Sequence, residues 1–139
     1  TYVETTDSNV FNGTRGDYYI MLLYATVAGV TKVGSYTGTG ANINVDCGFS
    51  SGVRYLMIKN ADQNPSHWLE WHMGMGLSAS NEFAAGNDTA FHIDEAQFNT
   101  SYDFVDQHNS GFTVNEDSGP SDTALSRNGE KYIFLAVAK

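Results

Sequence analysis

The sequence is poor in basic side chains, in cysteine and in long apolar runs. Seven Lys and Arg stand against 16 Asp and Glu, for a formal net charge of −9. No cluster of cations occurs anywhere, so a nucleic-acid groove would have to form against a negative field. The same charge disfavours anionic membrane surfaces, and an acidic module attracts cations or neutral partners more readily than phosphates. The single cysteine, Cys47, excludes an internal disulfide and any Cys-rich zinc site. With no Lys, Arg or His close to it in sequence, Cys47 reads as a small buried hydrophobe and not as a reactive thiol. The best apolar run, "YYIMLLYATVAGV", is shorter than the roughly 20 residues a membrane helix needs. The start of the chain lacks the charged and apolar regions of a secretory signal. It opens on Thr1 instead of Met, which reads as a processed product or a slice of a longer polypeptide.

What is present is enough for one folded domain. The chain has 139 residues, of which 41% are apolar and 17% charged, a balance that supports a core and argues against disorder. Short β-branched and aromatic runs alternate with Gly, Asn, Asp and Ser clusters, the pattern of strands and turns. Strands are expected at Asp17–Ala28, Lys32–Thr37, Ile43–Cys47, Arg54–Asn60, Trp68–Met73, Phe91–Ile93, Gly111–Val114 and Lys131–Ala138. Breakers separate them: "TGTGAN", "GFSSG", "NADQNP" and "NEDSGPSD". The Asn-Gly pairs in "FNGT" (Phe11–Thr14) and "RNGE" (Arg127–Glu130) predict tight hairpins, because both residues tolerate positive φ. Helical periodicity is thin, with one short turn expected in "GLSASNEFAAG". The fold class is therefore all-β, an antiparallel β-sandwich or jelly-roll-like fold with little or no helix.

One internal echo bears on organisation. "GDYYIMLLYA" at Gly16–Ala25 matches the pattern of "GEKYIFLAVA" at Gly129–Ala138, and each follows an Asn-Gly turn. Tyr19 and Tyr132 align, an offset of 132 − 19 = 113 residues. Two similar strands about one domain apart point to tandem units. Residues 1–30 then form an N-terminal strand region, either the end of a preceding repeat or an exchanged strand, and residues 31–139 form a single β-sandwich domain.

From about Lys32 to Lys139 the chain carries a series of motifs in fixed order. These are Tyr36-Thr37-Gly38, Gly48-Phe49 followed by Met57-Ile58-Lys59, the aromatic run Trp68–His72, Gly111-Phe112-Thr113-Val114, and Asn128–Ala138. In order and spacing this span resembles a domain of unknown function that recurs, often in tandem, in tail-fibre-like and other virion proteins of marine bacteriophages. Two departures from that pattern are Ser51–Val53, where Pro is usual, and the acidic, hydrophilic loop Phe83–His108. The resemblance implies a β fold and a virion setting. It supplies no catalytic residues.

The densest chemistry lies in "SHWLEWHMGMG". On a strand, His67, Leu69, Trp71 and Met73 share one face, the natural core face, and Trp68, Glu70 and His72 share the other. An outward Trp beside a carboxylate and an imidazole suits a subunit contact, or a sugar held by ring stacking and hydrogen bonds. These three are the candidate binding residues. His67 and His72 point to opposite faces, so one ion cannot reach both, and His92 and His108 help only if the fold converges on them. No metal site is expected and no cofactor. Calcium stays open at the oxygen-rich stretches "GNDTAFHIDE" and "NEDSGPSD". Catalytic residues are not expected either: nucleophile elbow, phosphate-cradling loop and dinucleotide fingerprint are all missing, and acids such as Glu70, Glu82, Asp94 and Glu95 are common on any acidic surface. "RGD" at Arg15–Asp17 is chance-level evidence for adhesion.

The expectation is a non-enzymatic bacteriophage virion protein, a tail-fibre or appendage module that forms homo-oligomers. Its partners would be copies of itself and other virion proteins, with host-surface glycan as a further contact, and neither nucleic acid nor membrane insertion. A capsid decoration (cement) protein is the alternative, and a glycan depolymerase stands behind it.

Overall fold

A computed structural model of the protein describes residues 21–64, 66–73, 86–116, 119–120 and 123–139. Among them are nine strands and no helix: β1 Thr31–Thr37, β2 Ile43–Asp46, β3 Val53–Asn60, β4 Trp68–His72, β5 Asp88–His92, β6 Phe98–Tyr102, β7 Val105–His108, β8 Gly111–Val114 and β9 Lys131–Ala138. They form two antiparallel sheets, one of six strands in the order β1-β9-β3-β4-β5-β6 and one of three in the order β2-β8-β7. The fold is the all-β sandwich that the alternating sequence predicts.

Alternation along each strand decides what is buried. On β9, Tyr132, Phe134 and Ala136 turn inward and are buried, while Lys131 and Ile133 on the other face are exposed. Register carries this across the sheet, so Gly34, Phe134, Ile58, Leu69 and His92 form one inward row over five strands. The small sheet closes over it with Val45, Val105, Phe112 and Val114 in the same apolar cluster. Phe112 meets Phe134 edge-on at 5.2 Å between ring centres, and Trp71 lies 5.8 Å from Phe104. Aromatic pairs of this geometry add to what area burial alone contributes.

The motif residues turn out to be structural fasteners. Tyr36 and Tyr132 stack at 4.9 Å; the Tyr36 hydroxyl donates to the Leu125 carbonyl, and that of Tyr132 donates to the Ala124 carbonyl. Two glycines allow backbones to touch. A Cβ on Gly38 would sit 2.1 Å from the Arg127 carbonyl oxygen, and one on Gly111 would sit 2.0 Å from that of Val45. Any side chain at either place would push the two segments apart.

Three sequence expectations change. "RNGE" does form a turn, with Glu130 N–H bonded to Arg127 O and Gly129 at φ +81°. It does not join a hairpin, since the strand before it, β8, belongs to the other sheet. The acidic stretch Phe83–His108, expected to be a loop around one strand at Phe91–Ile93, contains three strands: β5, which overlaps the expected one, and β6 and β7, which were not expected. β6 and β7 are edge strands, and edges keep the polar residues that disguise strand periodicity. Met21–Thr26, within the strand expected at Asp17–Ala28, has no strand partner; Val27 alone makes an isolated bridge, to Thr31. The turns expected in "FNGT" and within "GLSASNEFAAG" lie outside the described residues, apart from Gly86.

Candidate functional site

β4 is held centrally in the large sheet by β3 on one side and β5 on the other. Leu69 and Trp71 point into the core and are buried; Trp68, Glu70 and His72 point out and are half-buried. The expected outward trio therefore shares one face, and each member meets a different residue of β3. Trp68 lies opposite Lys59, whose Nζ stands 5.7 Å from the centre of the indole ring. Glu70 lies opposite Met57 and accepts a hydrogen bond from the Tyr55 hydroxyl at 2.9 Å. His72 lies opposite Tyr55. Burial, and then the Glu70 carboxylate, push the Tyr55 phenol upward, so it remains a neutral donor. The trio is a polar band pinned to β3, not an open cleft.

That band interrupts an apolar surface. Register lines up Val33, Leu135, Met57, Glu70, Phe91 and Phe98 as one outward row over all six strands. Phe98 is 61% exposed and Val33 41%. The segment from Met21, where Leu22 and Leu23 are 70% and 74% exposed, leads to the outer edge of β1. It is fastened to that edge by Thr26, whose hydroxyl accepts from Val33 N–H and donates to Val33 O. Within the outward row Val33 and Phe98 are open at the two ends, while Leu135 is buried at 5% exposure.

The other polar features lie elsewhere. A cavity of about 300 Å³ is lined by Asn42, Asp103, Asp106, Asn115 and Glu116, with the Asn115 amide donating to both Asp103 and Asp106. A neighbouring cavity of about 330 Å³ includes Tyr102 and shares Asp103. Trp68 lines neither cavity. Asp88, on β5, is buried, and its Oδ2 accepts the Phe104 and Val105 N–H groups at 2.9 and 2.7 Å. Burial raises its carboxyl to about 8, against those two bonds, and the like charges of Asp103 and Asp106 add to the rise. Cys47 is buried, and its thiol is pushed up to about 11 by that burial, which keeps it unreactive.

Of the two stretches held open for calcium, "GNDTAFHIDE" is half taken up by strand β5, and four residues of "NEDSGPSD", at 117–118 and 121–122, lie outside the described ones. The histidines are redistributed. His108 sits on the small sheet, within reach of the Ser110 hydroxyl at 3.2 Å. His67, on the core-facing side of the entry to β4, comes within 4.6 Å of His92, ring centre to ring centre. Glu95 stands beside both. Only the pairing Leu69↔His92 brings these residues together, and a long-range register is not visible in one sequence.

The family model described as a domain of unknown function, DUF7483, matches residues 1–139, and the chain belongs to that family. No curated protein and no solved structure matches it.

Proposed function

We propose that this member of the family is a bacteriophage virion structural module, part of a tail fibre or similar appendage, that works by assembling with further β units of its own kind. The observation that supports this best is the apolar outer face of the large sheet. To it is added the exposed apolar segment Met21–Tyr24, which leads to the β1 edge. The sequence echo identifies the matching chemistry. In β9 the residues Phe134 and Ala136 are buried, while their counterparts Met21 and Leu23 in the echoing strand are 54% and 74% exposed. A segment of β9-like sequence with its apolar residues exposed fits addition as a strand to a neighbouring unit, where main-chain pairing caps an edge. Repetition along an appendage then multiplies weak contacts.

Among the described residues, the exposed large apolar side chains concentrate on one face and one edge. That favours a module with one defined neighbour over a cement protein bonded across much of its surface. The Trp68 band would serve as the polar part of the contact, or as a glycan contact beside it.

Sedimentation of the whole chain over a concentration series tests the reading. The wild type is expected to associate, and Leu23→Asp with Phe98→Glu to sediment as a monomer with an unchanged β spectrum. A wild type that stays monomeric at high concentration, or an oligomer indifferent to both changes, would overturn it. Incubation with host polysaccharide addresses the depolymerase alternative, which requires release of reducing ends.

A further inference from the structure

We infer that His67, His92 and Glu95 form a binding site for a borderline transition-metal ion of the zinc class, which staples the entry of β4 to the turn between β5 and β6. This goes beyond the assembly reading and departs from the sequence expectation of no metal.

The geometry carries it. The three residues each offer one ligand atom, and these atoms all lie within 4.8 Å of one another. The Glu95 Oε1 oxygen stands 2.9 Å from His92 Nδ1 and 3.3 Å from His67 Nδ1. In a tetrahedral zinc site with bonds of about 2.0–2.1 Å, neighbouring ligand atoms are about 3.3 Å apart. Glu95 already stands at about that spacing from each imidazole, and an ion would take the place of the His92–Glu95 hydrogen bond while drawing the two imidazoles together. Asp94 flanks the three donors, its Oδ2 lying 3.5 Å from His67 Nδ1, and water or this second carboxylate oxygen would complete a fourth position. The other oxygen of Asp94 accepts the Trp68 N–H, which holds the carboxylate in place.

Donor type selects the metal class. Two imidazoles and carboxylate oxygen suit zinc and its neighbours, whereas calcium and magnesium demand oxygen throughout. Two carboxylates also match the charge of a divalent ion within a chain already at −9. Position matters as well. His92 is 8% exposed and belongs to the inward row, so core packing fixes one ligand. Asp94 and Glu95 are exposed, which leaves the ion a path from solvent.

The site also sits at a weak seam. The β4–β5 ladder has two registered pairs, Leu69↔His92 and Glu70↔Phe91, against five between β3 and β4. An ion joining His67, just before β4, to His92 and Glu95 crosses that seam. The ion would lock the outer third of the large sheet, β5 and β6, onto the rest.

Calorimetric titration of the metal-stripped full chain with zinc chloride tests this, with cobalt(II) as a spectroscopic probe and calcium as control. Expected are one zinc per chain, visible d–d bands typical of a four-coordinate cobalt ion, and a melting temperature that rises with zinc concentration. His67→Gln and Glu95→Gln, both at sites of partial exposure, should keep the fold and weaken zinc binding at least about tenfold. His92→Asn is secondary, because a buried position invites unfolding. No zinc binding, equal affinity for calcium, or undiminished binding in both variants with the fold intact would each overturn the proposal.

Discussion

The two faces of the large sheet are built from the same strands and treated in opposite ways. Inward residues of β3, β4 and β9 meet a second sheet and are buried, as Leu56, Ile58, Trp71, Tyr132 and Phe134 show. Outward residues on the same strands meet no second sheet among the described residues, yet many are still apolar or aromatic. Leu135, on the outer row, is 5% exposed. Ile133, two residues before it, is 37% exposed. An ordinary two-layer sandwich alternates apolar with polar outside. Here the outer face is apolar enough to be a second interface, interrupted by the Trp68, Glu70 and His72 band. On the assembly proposal, folding and association would draw on alternate residues of the same segment, giving Trp68 and Trp71 separate roles although three positions apart.

The largest expected effect separates those roles. Trp71 is fully buried against Phe104, so Trp71→Ala should cost about 3–5 kcal/mol from lost burial and the cavity left behind. Urea denaturation measures it. A loss under about 1 kcal/mol would mean that the inner face is not the closed one. Trp71→Phe should cost much less. It retains most of the apolar volume and removes an indole N–H that finds no acceptor among the described residues.

An intermediate effect concerns the one carboxylate the inner face admits on β5. The Asp88 carboxyl is raised by burial to about 8 from an ordinary value near 3.8. Between those values the folded state keeps a proton that the unfolded state releases, so this group's contribution is full below about pH 4 and is lost as pH rises through about 8. The slope is at most about 1.4 kcal/mol per pH unit. Asp88→Asn retains an oxygen acceptor for the Phe104 and Val105 N–H groups and removes the titration. The wild-type minus variant stability should therefore fall with rising pH across that window. A flat difference would place the ionised carboxylate comfortably inside the fold and make the two N–H bonds the dominant influence.

Much of the inner face is legible in the sequence, and the reason is local. β1, β2, β3, β4, β8 and β9 fall within a residue or two of the expected strands, because apolar alternation and turn residues act over a few positions. Alternation alone also places Leu69 and Trp71 inward and Trp68, Glu70 and His72 outward. β6 and β7 escape notice because edge strands such as "FNTSY" and "VDQH" carry polar residues into the ladder. The hairpin expected at "RNGE" fails for a related reason. An Asn-Gly pair sets the local bend, but which strands then pair depends on the whole sheet order. The meeting of His67, His92 and Glu95 is set by register between β4 and β5, and the apolar outer row by register across all six strands. Neither is a property of any short window.

The smallest effect tests the outer face itself. Trp68 is half-buried, its ring partner is the Lys59 ammonium, and its backbone groups rather than its ring hold the strand to Ile93 and Asp94. A partly exposed cation–π contact is worth about 0.5–1 kcal/mol, so Trp68→Ala should shift the denaturation midpoint by no more than that. The association measured by sedimentation should weaken nonetheless, by several-fold, because the ring stands on the face where a neighbouring unit would dock. If Trp68→Ala instead destabilises the monomer as much as Trp71→Ala does, both faces of β4 are core. The division of labour between the two faces then falls.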